Sequence, residues 1–470
     1  MSARVTRLSQ TDTALTDATN VDVIVVGGGA CGLVAALRLK HRGVDAIVLE
    51  RDALPQGSTA LSSGFIPACS TQVQKARGIE DSPALFAQDI QQKAHDTADP
   101  TLVAAYSNAI GPAIDWLSDA HAVPFELLDG FLYPGHSVLR MHAVPERTGE
   151  GLMNHLRVAA EKAGIDILCN AHVEALLASE DDAIGGVSLT RPDGSTETIA
   201  CQQLLLACNG YGGNATLIEK WLPEMAGAAY GGHVGNDGSA VIWGEALGAS
   251  LADMGAYQGH GSWATPHGVL VSWALMMRGG IQINSNGQRF QQETLGYSEA
   301  AVQVLNQPNQ IAWNVFSQAD LTFAREFPDF CDAEAAGALR LADSPATLAR
   351  IIGCPTEAIA ATLAAVDQSA QDQNPDAFGR QFEQALDGPF CAIKVTGALF
   401  HTQGGLLVDE HMRVCRPDGS TLPNCTAAGG AARGVSGNDV SGYLSGNGLL
   451  SAVAGGMLAA DTIATNLQAA

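Results

Sequence analysis

Basic residues are scarce in this 470-residue chain, which has 25 lysines and arginines against 49 acidic residues and a formal net charge of −24. This acidic excess disfavours nucleic acid or an anionic membrane surface as a partner. Long apolar runs are also missing, because the most apolar stretch, residues 268–277, is far too short to span a bilayer, so we expect no membrane insertion. The first twenty residues lack the apolar segment of a signal peptide. We therefore expect a disordered tail over residues 1–20 and a cytoplasmic location.

Cysteine motifs are missing as well, although the chain has ten cysteines. None belongs to a CxxC pair or a CxxCH haem motif, so the sequence offers no Fe–S, zinc or haem site, and we expect no metal. Single cysteines are typical of free thiols in a reducing cytosol. Glycine, in contrast, is abundant, with 52 residues.

The first glycine cluster follows a predicted strand. Residues 21–26 (VDVIVV) are a short, continuous β-branched run, typical of a buried parallel strand. Residues 27–32 (GGGACG) fit G-x-G-x-x-G, and a helical pattern then runs to about Arg42. A second strand over residues 45–49 ends at Glu50. Strand, fingerprint, helix, strand and acid in this register predict a dinucleotide site.

Each glycine of this fingerprint has a physical role. Gly27 permits the tight turn, and Gly29 lets backbone N–H groups approach a pyrophosphate at the helix N-terminus. Gly32 lets the helix pack closely on the strand. Glu50 lies 18 residues past Gly32, where an acid can accept from both ribose hydroxyls, which indicates a free ribose rather than a 2′-phosphate.

The choice between NAD and FAD depends on how many such units the chain has. Residues 204–213 (LLLACNGYGG) run from a strand into glycines but lack the fingerprint spacing. One dinucleotide is therefore expected, and with a single site a tightly held flavin is more economical than a diffusing nicotinamide.

Eight later segments decide this choice through a family resemblance. They are GSTALSSG (57–64), LRMHAVPERTGEG (139–151), CNGYGGN (208–214), NDGSAVIWGEALGA (236–249), GQRFQQE (287–293), HTQGGLLVD (401–409), TAAGGAARG (426–434) and GYLSGNGLL (442–450). In this order they resemble the flavoprotein family of fumarate reductases, succinate dehydrogenase flavoprotein subunits and 3-ketosteroid dehydrogenases. The 3-ketosteroid dehydrogenase branch is the most similar.

The resemblance implies an α/β fold with a doubly wound, Rossmann-type FAD-binding domain over residues 21–257 and 398–467. An α+β capping domain, which carries catalytic groups, is expected over residues 258–397. A helix over residues 449–463 is expected to direct its N-terminus at the flavin.

The fingerprint and the resemblance together imply one set of FAD contacts. The expected residues are Gly27, Gly29, Ala30, Cys31, Gly32, Glu50, Arg51, Ser58, Thr59, Ser62, Ser63, Gly64, Val173, Asn209, Gly210, Gly429, Gly446, Asn447, Gly448 and Leu449. The FAD is expected to be non-covalent, because residues 57–64 lack the histidine that carries the flavin in the respiratory members. Gly430 stands where the family has a glutamate.

Two tyrosines distinguish this chain from the members that act on dicarboxylates. Those members hold the two carboxylates with arginines, because a guanidinium fork matches a carboxylate. Tyr297 and Tyr443 occupy two of the arginine positions, and Met276 occupies a third, with Arg278 as a displaced substitute. A tyrosine does not neutralise a carboxylate at pH 7, but it can donate a hydrogen bond to a ketone oxygen.

The ketosteroid dehydrogenase branch is similar at both tyrosines, and its Δ4-(5α) group also has a serine at the spacing of Ser445. The expected catalytic residues are therefore Tyr443, Tyr297, Ser445, His401 and His260, and the expected substrate contacts are Tyr133 and Gly448. Simpler roles stay open: Ser445 is equally suited to cap the last helix, and His401 to brace the flavin.

The sequence therefore indicates an FAD-dependent desaturase of a cyclic ketone, either a 3-ketosteroid or a cyclohexanone-like ring. A fumarate-reductase-like enzyme for an unsaturated acid, using His260, His401 and Arg278, is the alternative. A flavoprotein carrier without catalysis is the third. Because the chain has no haem or Fe–S motif, electrons are expected to leave through a diffusible acceptor, quinone-like or O2.

Overall fold

The structure is a computed structural model that describes residues 3–8, 15, 18–130 and 132–469. The strands are Arg4–Arg7 (β1), Thr19–Val26 (β2), Ala46–Leu49 (β3), Ile66–Pro67 (β4), Glu126–Leu127 (β5), Met141–Ala143 (β6), Asp166–Leu168 (β7), His172–Ala178 (β8), Ile184–Thr190 (β9), Thr196–Leu206 (β10), Ala229–Tyr230 (β11), Leu251–Ala252 (β12), Tyr257–Ala264 (β13), Val269–Leu270 (β14), Ile281–Asn284 (β15), Ala312–Ser317 (β16), Leu339–Ala342 (β17), Phe390–Thr402 (β18), Gly405–Leu406 (β19), Arg413–Cys415 (β20) and Thr421–Ala427 (β21). The α-helices are Ala30–His41 (α1), Gly57–Ala60 (α2), Gln72–Ala76 (α3), Pro83–Lys93 (α4), Pro100–His121 (α5), Gly149–Ala163 (α6), Ala215–Trp221 (α7), Ser239–Ala246 (α8), Ala274–Met277 (α9), Tyr297–Leu305 (α10), Leu321–Ala324 (α11), Pro328–Ala335 (α12), Pro345–Ile352 (α13), Thr356–Asp372 (α14) and Asn447–Ala469 (α15).

The first sheet carries the predicted nucleotide-binding unit. It has nine strands in the order β1-β8-β9-β10-β2-β3-β7, with β21 beside β10 and β20 beside β21. Strand β2 lies between its parallel neighbours β10 and β3, and its apolar residues Val23 to Val25 are fully buried. Helix α1 follows β2 and packs against α15 from the other end of the chain. This arrangement confirms the predicted doubly wound, Rossmann-type α/β fold.

The disordered tail predicted over residues 1–20 is wrong where the structure describes that segment. Arg4–Arg7 form β1, which pairs in parallel with β8, and β2 begins at Thr19. Strand β1 lies at an edge of the sheet and is largely exposed, with Arg7 donating to the Ser179 carbonyl at 2.9 Å and pairing with Asp182. Its polar sequence therefore gives no apolar signal. Residues 1–2, 9–14 and 16–17 lie outside the described residues.

The second sheet carries the predicted cap. It has seven strands in the order β14-β13-β18-β16-β15, with β11 and β17 also paired to β18. Ser344 caps α13 by accepting from Thr347 N–H, and Gly353 ends that helix in a left-handed conformation. Strand β18 crosses the predicted boundary at residue 397, and β11 joins this sheet from outside 258–397. The division of the chain into domains at those residues stays a prediction.

The motif over residues 287–293 anchors the segment that leads to Tyr297. Glu293 is fully buried and accepts from Gln282 N–H at 3.0 Å, from Arg289 Nη2 at 2.7 Å and from Arg380 Nη1 at 2.8 Å. Both guanidiniums are nearly buried beside this carboxylate. A buried charge with several partners holds one geometry, so this cluster fixes the chain just before α10.

Helix α15 is long and apolar enough to cross a membrane by length and composition, and α13 with α14 would pass the same test only as a pair bent by 120°. In the structure 56% of the most apolar window of α15 is buried. The helix packs against α1 and α5, and its Gly456 lies so close to the Cys31 carbonyl that a Cβ there would be 2.6 Å from the oxygen. The length and apolarity of α15 are thus explained by its place in the core. Location in the cytoplasm stays a prediction.

Candidate active site

A single large cavity of about 800 Å³ runs from the glycine turn of the first sheet to the face of the second sheet. Its two ends differ in chemistry. The end at β2 and β3 is lined by glycine backbone, hydroxyls and the Glu50 carboxylate, whereas the other end is lined mainly by aromatic side chains. A cavity of this size with separate polar and apolar ends suits a dinucleotide and a small apolar substrate together.

The glycine turn at the polar end is sterically closed to other residues. Gly27 has φ 108°, and a Cβ there would lie 2.5 Å from the Ala207 carbonyl oxygen. A Cβ on Gly32 would collide with the carbonyl oxygen of Gly27. The Ala30 N–H at the start of α1 donates to Thr59 Oγ1 at 3.2 Å. Backbone N–H groups therefore face the cavity at a helix N-terminus, where a pyrophosphate binds.

Glu50 occupies the end of β3, as the spacing predicts. Its carboxylate is buried and accepts from Gly28 N–H at 2.8 Å and from Asp52 N–H at 2.9 Å. Burial raises the pKa of Glu50, and these two hydrogen bonds lower it. Arg51 lies beside it and donates to the Gly235 carbonyl at 2.6 Å. This end of the cavity thus offers fixed acceptors for the hydroxyls of a ribose.

The structure places seventeen of the twenty residues expected at FAD on the cavity wall. The other three lie just behind it. Gly32 packs α1 on β2, and Gly210 packs against Thr402, whose Oγ1 a Cβ would overlap. Asn447 is fully buried, donates from Nδ2 to Ser436 Oγ at 3.1 Å, and has no hydrogen-bond partner for Oδ1 among the described residues.

Four rings from four chain segments form the centre of the aromatic end. The His260 ring of β13 stacks on Tyr297 with centroids 4.9 Å apart and planes 21° apart. Tyr297 meets Tyr443 edge to face at 6.1 Å, and Tyr443 meets His401 edge to face at 5.6 Å. Tyr133 also lines the cavity and packs edge to face on Phe65 at 6.0 Å.

Three hydroxyl groups converge inside this aromatic end. The Tyr297 hydroxyl lies near the side chains of Ser445 and Tyr443, and both lower its pKa. The Tyr443 hydroxyl also lies 3.4 Å from His401 Nε2 and 3.4 Å from Gly448 N, in the first turn of α15. Burial raises the pKa of Tyr297 to about 12, and it raises the pKa of Tyr443 well above its ordinary value. At neutral pH both phenols are protonated hydrogen-bond donors.

Both histidines of the site are neutral at physiological pH. Burial lowers the pKa of His260 to about 3 and that of His401 to about 4. In the tautomer that donates Nδ1–H to the Thr402 carbonyl at 3.3 Å, His401 accepts from the Tyr443 hydroxyl through Nε2. Gly448 stands against this imidazole, because a Cβ there would lie 2.6 Å from His401 Nε2.

Comparison with known proteins agrees with a dinucleotide site at the polar end of the cavity. Residues 22–449 match the family model described as "FAD binding domain". The chain belongs to this FAD-binding family. The flavoprotein is 28% identical over 423 residues to the NADH:fumarate oxidoreductase of Klebsiella pneumoniae, an alignment that covers 89% of this chain and 45% of that protein. The chain therefore spans less than half the length of that relative.

Two of the solved structures similar to this flavoprotein represent different branches of such proteins. The open conformation of a flavocytochrome c3 fumarate reductase matches with a TM-score of 0.79 and 25% identity, over 96% of this chain and 80% of that one. A 3-ketosteroid-Δ4-(5α)-dehydrogenase from Rhodococcus jostii RHA1, in complex with 4-androstene-3,17-dione, matches with a TM-score of 0.76 and 24% identity, over 99% of this chain and 100% of that one. The second likeness concerns the fold. The flavoprotein is an FAD-dependent oxidoreductase of the superfamily that includes both branches.

The residues of the polar end fit FAD. The turn at Gly27 leaves no room for a Cβ, the α1 N-terminus faces the cavity, and Glu50 is buried at the ribose position. Gly448 and Leu449 begin α15 at the junction of the polar and aromatic ends, so its positive helix end faces the place of the isoalloxazine. No histidine lies in residues 57–64, in keeping with non-covalent FAD.

Several residues of the site were not identified from the sequence. His136 donates from Nε2 to the Ser445 carbonyl at 2.9 Å and so holds the loop before α15. Phe400, Phe65 and Asp329 line the cavity. Burial raises the pKa of Asp329 to about 7. These residues come from loops, the end of β18 and the start of α12, which are far apart in the chain, and the sequence contains no local motif that joins them.

Proposed function

We propose that this flavoprotein introduces a C=C bond α,β to the carbonyl of a cyclic ketone, either a 3-ketosteroid or a cyclohexanone-like ring. The observation that supports the proposal is that three hydroxyl-bearing side chains, Tyr297, Tyr443 and Ser445, line the same aromatic end of the cofactor cavity. Neutral donors in an apolar pocket suit a neutral carbonyl.

The charges on the cavity wall support a neutral substrate. Among the described residues that line the cavity, the only arginines are Arg51 and Arg147, and none is a lysine. Arg51 is engaged with the Gly235 carbonyl beside Glu50, at the nucleotide end. Arg147 is exposed to solvent. Neither stands among the converging hydroxyls, so a dicarboxylate would lose its hydration there without a charged partner.

In the proposed reaction, the Tyr443 hydroxyl donates its proton to the ketone oxygen, where negative charge develops. The Gly448 N–H donates to the Tyr443 oxygen at 3.4 Å and so makes the phenol a stronger donor. Tyr297 first loses its own proton to solvent by way of the Ser445 hydroxyl, and the resulting phenolate receives the α-proton and becomes a phenol again. Tyr297 suits this role better than Tyr443, because its pKa is less strongly raised and the contact with Ser445 lowers it. Bound FAD supplies the acceptor for the hydride that leaves the β-carbon.

The other predicted groups assist within this scheme. With its proton on Nε2, His401 accepts from Gln403 Nε2 through Nδ1 and donates to the Tyr443 oxygen, which leaves the Tyr443 proton for the ketone. The His260 ring supports Tyr297 through stacking. Tyr133 forms part of the substrate wall. The electrons then pass to a diffusible acceptor, a quinone or O2, that enters from solution.

The second candidate is reduction of an unsaturated acid such as fumarate, which the names of the sequence relatives favour. The guanidinium expected to serve it is misplaced. Arg278 has a side chain that is 52% exposed, bonds Asp320 at 2.9 Å and covers the Phe323 ring, outside the residues that line the cavity. The prediction that Arg278 substitutes for a site arginine is therefore wrong, because α9 ends there and directs the side chain to solvent.

Anaerobic stopped-flow mixing of the FAD-bound protein separates the candidates. Androstenedione and cyclohexanone should each be offered in turn, with succinate and buffer in parallel, while the visible absorbance of the flavin is recorded. Bleaching by a ketone supports the proposal, and analysis of the product should find the α,β-unsaturated ketone. Bleaching by succinate alone would establish the second candidate. No bleaching with any donor would favour a carrier without catalysis.

A further inference from the structure

The turn that precedes Tyr297 is tied to the nucleotide-binding part of the molecule by one buried ion pair. Lys93, the last residue of α4, donates from Nζ to the Leu295 carbonyl at 3.2 Å and pairs with the Glu299 carboxylate. The two side chains are only 12% and 20% exposed. Glu299 lies in the first turn of α10, two residues after Tyr297, so this contact joins the cap to α4 beside the candidate catalytic phenol.

The Glu299 carboxylate folds back over the start of its own helix. Gly296, the residue before α10, has no room for a Cβ, because the carboxylate occupies that space. Glu299 Oε2 has no hydrogen-bond partner among the described residues, although it is shielded from solvent. Burial raises the pKa of Glu299, and the Lys93 ammonium opposes that rise. The carboxylate is thus held by a single cation.

Charged and titratable groups approach this region from every neighbouring element. Tyr297 faces His260 of β13 and the pair Tyr443 and Ser445 before α15. Ionisation of Tyr297 would raise the pKa of Tyr133, so the two phenols are electrostatically coupled. Glu299 faces Lys93 of α4, with the carboxylate of Asp439 nearby. The charge of Glu299 raises the pKa of Tyr297.

We propose that Lys93 and Glu299 are positioning residues, whose ion pair seats Tyr297 against Tyr443 and Ser445 and sets how readily its phenol gives up a proton. The inference rests on the proposed function for its catalytic meaning. Glu299 raises the pKa of Tyr297, and because Lys93 carries the opposite charge, we expect it to act with the opposite sign. If the pair served folding alone and lay too far from the phenol to act on it, the loss of either charge would leave the phenol pKa unchanged.

The test replaces Tyr297 with 3,5-difluorotyrosine in the FAD-bound protein, because fluorination brings the phenol titration to an accessible pH, and follows it by ¹⁹F NMR. Glu299→Gln removes a negative charge and should lower the pKa of the probe. Lys93→Met leaves the carboxylate unopposed and should raise it. Each shift should be on the order of one pKa unit, as for a unit charge at about 10 Å in an effective dielectric of about 20. The double variant should return the pKa toward its original value.

Two controls keep the outcome unambiguous. Lys93→Arg preserves the charge and should leave the probe unchanged, and Lys40→Met removes an exposed lysine that pairs with Asp45 at 2.7 Å, remote from the cavity. Shifts of the same sign in Lys93→Met and Glu299→Gln, or no shift in either, would overturn the inference even if ketones still bleach the flavin. A third outcome is opposite shifts of the probe pKa in a protein whose flavin no ketone reduces. That outcome would support the action of the ion pair on Tyr297 and would rule out the proposed function.

Discussion

The substitution Tyr443→Phe removes one oxygen atom and distinguishes the catalytic contribution of the hydroxyl from the packing contribution of the ring. The Tyr443 ring is 4% exposed and contacts the rings of Tyr297 and His401, contacts that phenylalanine retains. The hydroxyl lies 3.4 Å from both His401 Nε2 and Gly448 N, at the long limit for hydrogen bonds. Tyr443→Phe should therefore cost about 1 kcal/mol or less in stability. For a chain of this length that is about 1 °C in Tm, from roughly 2.1 cal/mol/K per residue.

The expected loss in turnover is much larger than this loss in stability. Removing one donor from a site that stabilises developing negative charge costs about 100- to 1,000-fold in kcat, or about 3–4 kcal/mol. Because this interaction strengthens only in the transition state, kcat and kcat/KM for the ketone should fall together. Tyr443→Phe should therefore keep its FAD and its Tm and lose nearly all ketone-dependent flavin reduction.

The assay compares single-turnover flavin reduction in the protein, in Tyr443→Phe and in a matched control. Tyr106→Phe removes the same atom from a fully buried tyrosine whose hydroxyl faces Met412 Sδ at 3.6 Å, outside the cavity wall. The control should reduce its flavin at the original rate. If Tyr443→Phe reduced its flavin within about threefold of the original rate, Tyr443 would have no part in carbonyl activation and the ketone assignment would lose its main support.

Two further predictions concern the cofactor and acid stability. Glu50→Gln keeps the shape of the side chain but loses its charge. FAD affinity should therefore fall about 10- to 100-fold, as expected for charge-assisted hydrogen bonds worth about 1.5–3 kcal/mol. An unchanged affinity in a fluorescence titration would contradict the ribose-binding role of Glu50. Buried histidines with lowered pKa take up protons first in the unfolded state, so stability should fall as pH drops from about 6.5 toward about 4. Urea-unfolding midpoints measured at several pH values in that interval check this. In His142→Asn the midpoint should fall less steeply as the pH drops. The same steepness as in the unchanged protein would contradict the lowered pKa of His142. The histidines concerned are His136, His142 and His401, with pKa lowered to about 4, and His260, with pKa lowered to about 3.

The nucleotide-binding unit was predictable because its constraints are local. A glycine at residue 27 and another at residue 32 are required by contacts within one strand–turn–helix unit, and the structure places both against backbone that excludes a Cβ. Glu50 follows at a spacing set by the length of α1 and β3. The N-terminal strand was not predictable, because Arg4–Arg7 are polar and pair with β8, about 170 residues later in the chain.

The contacts behind the candidate catalytic groups were also beyond the sequence. Lys93 and Glu299 are 206 residues apart, and His136 and Ser445 are 309 residues apart. Neither pair belongs to a motif, because each is created only when α4 and the loop around His136 pack against the cap and the last glycine loop. Tyr297 and Tyr443 could be located by counting from neighbouring motifs, whereas the groups that hold them are brought there only by the fold.

In the proposed function, phenols in place of guanidiniums would lower the free-energy cost of admitting an uncharged molecule to the aromatic end. A guanidinium stays charged whether the pocket is filled or empty, so burying it requires a carboxylate partner. Tyr297 and Tyr443 instead become harder to ionise as burial increases, and they remain neutral donors. An apolar ketone can therefore displace water without stripping a charge of its hydration. The Lys93–Glu299 pair lies behind these phenols, off the cavity wall, where its charges can act on them without contacting the substrate.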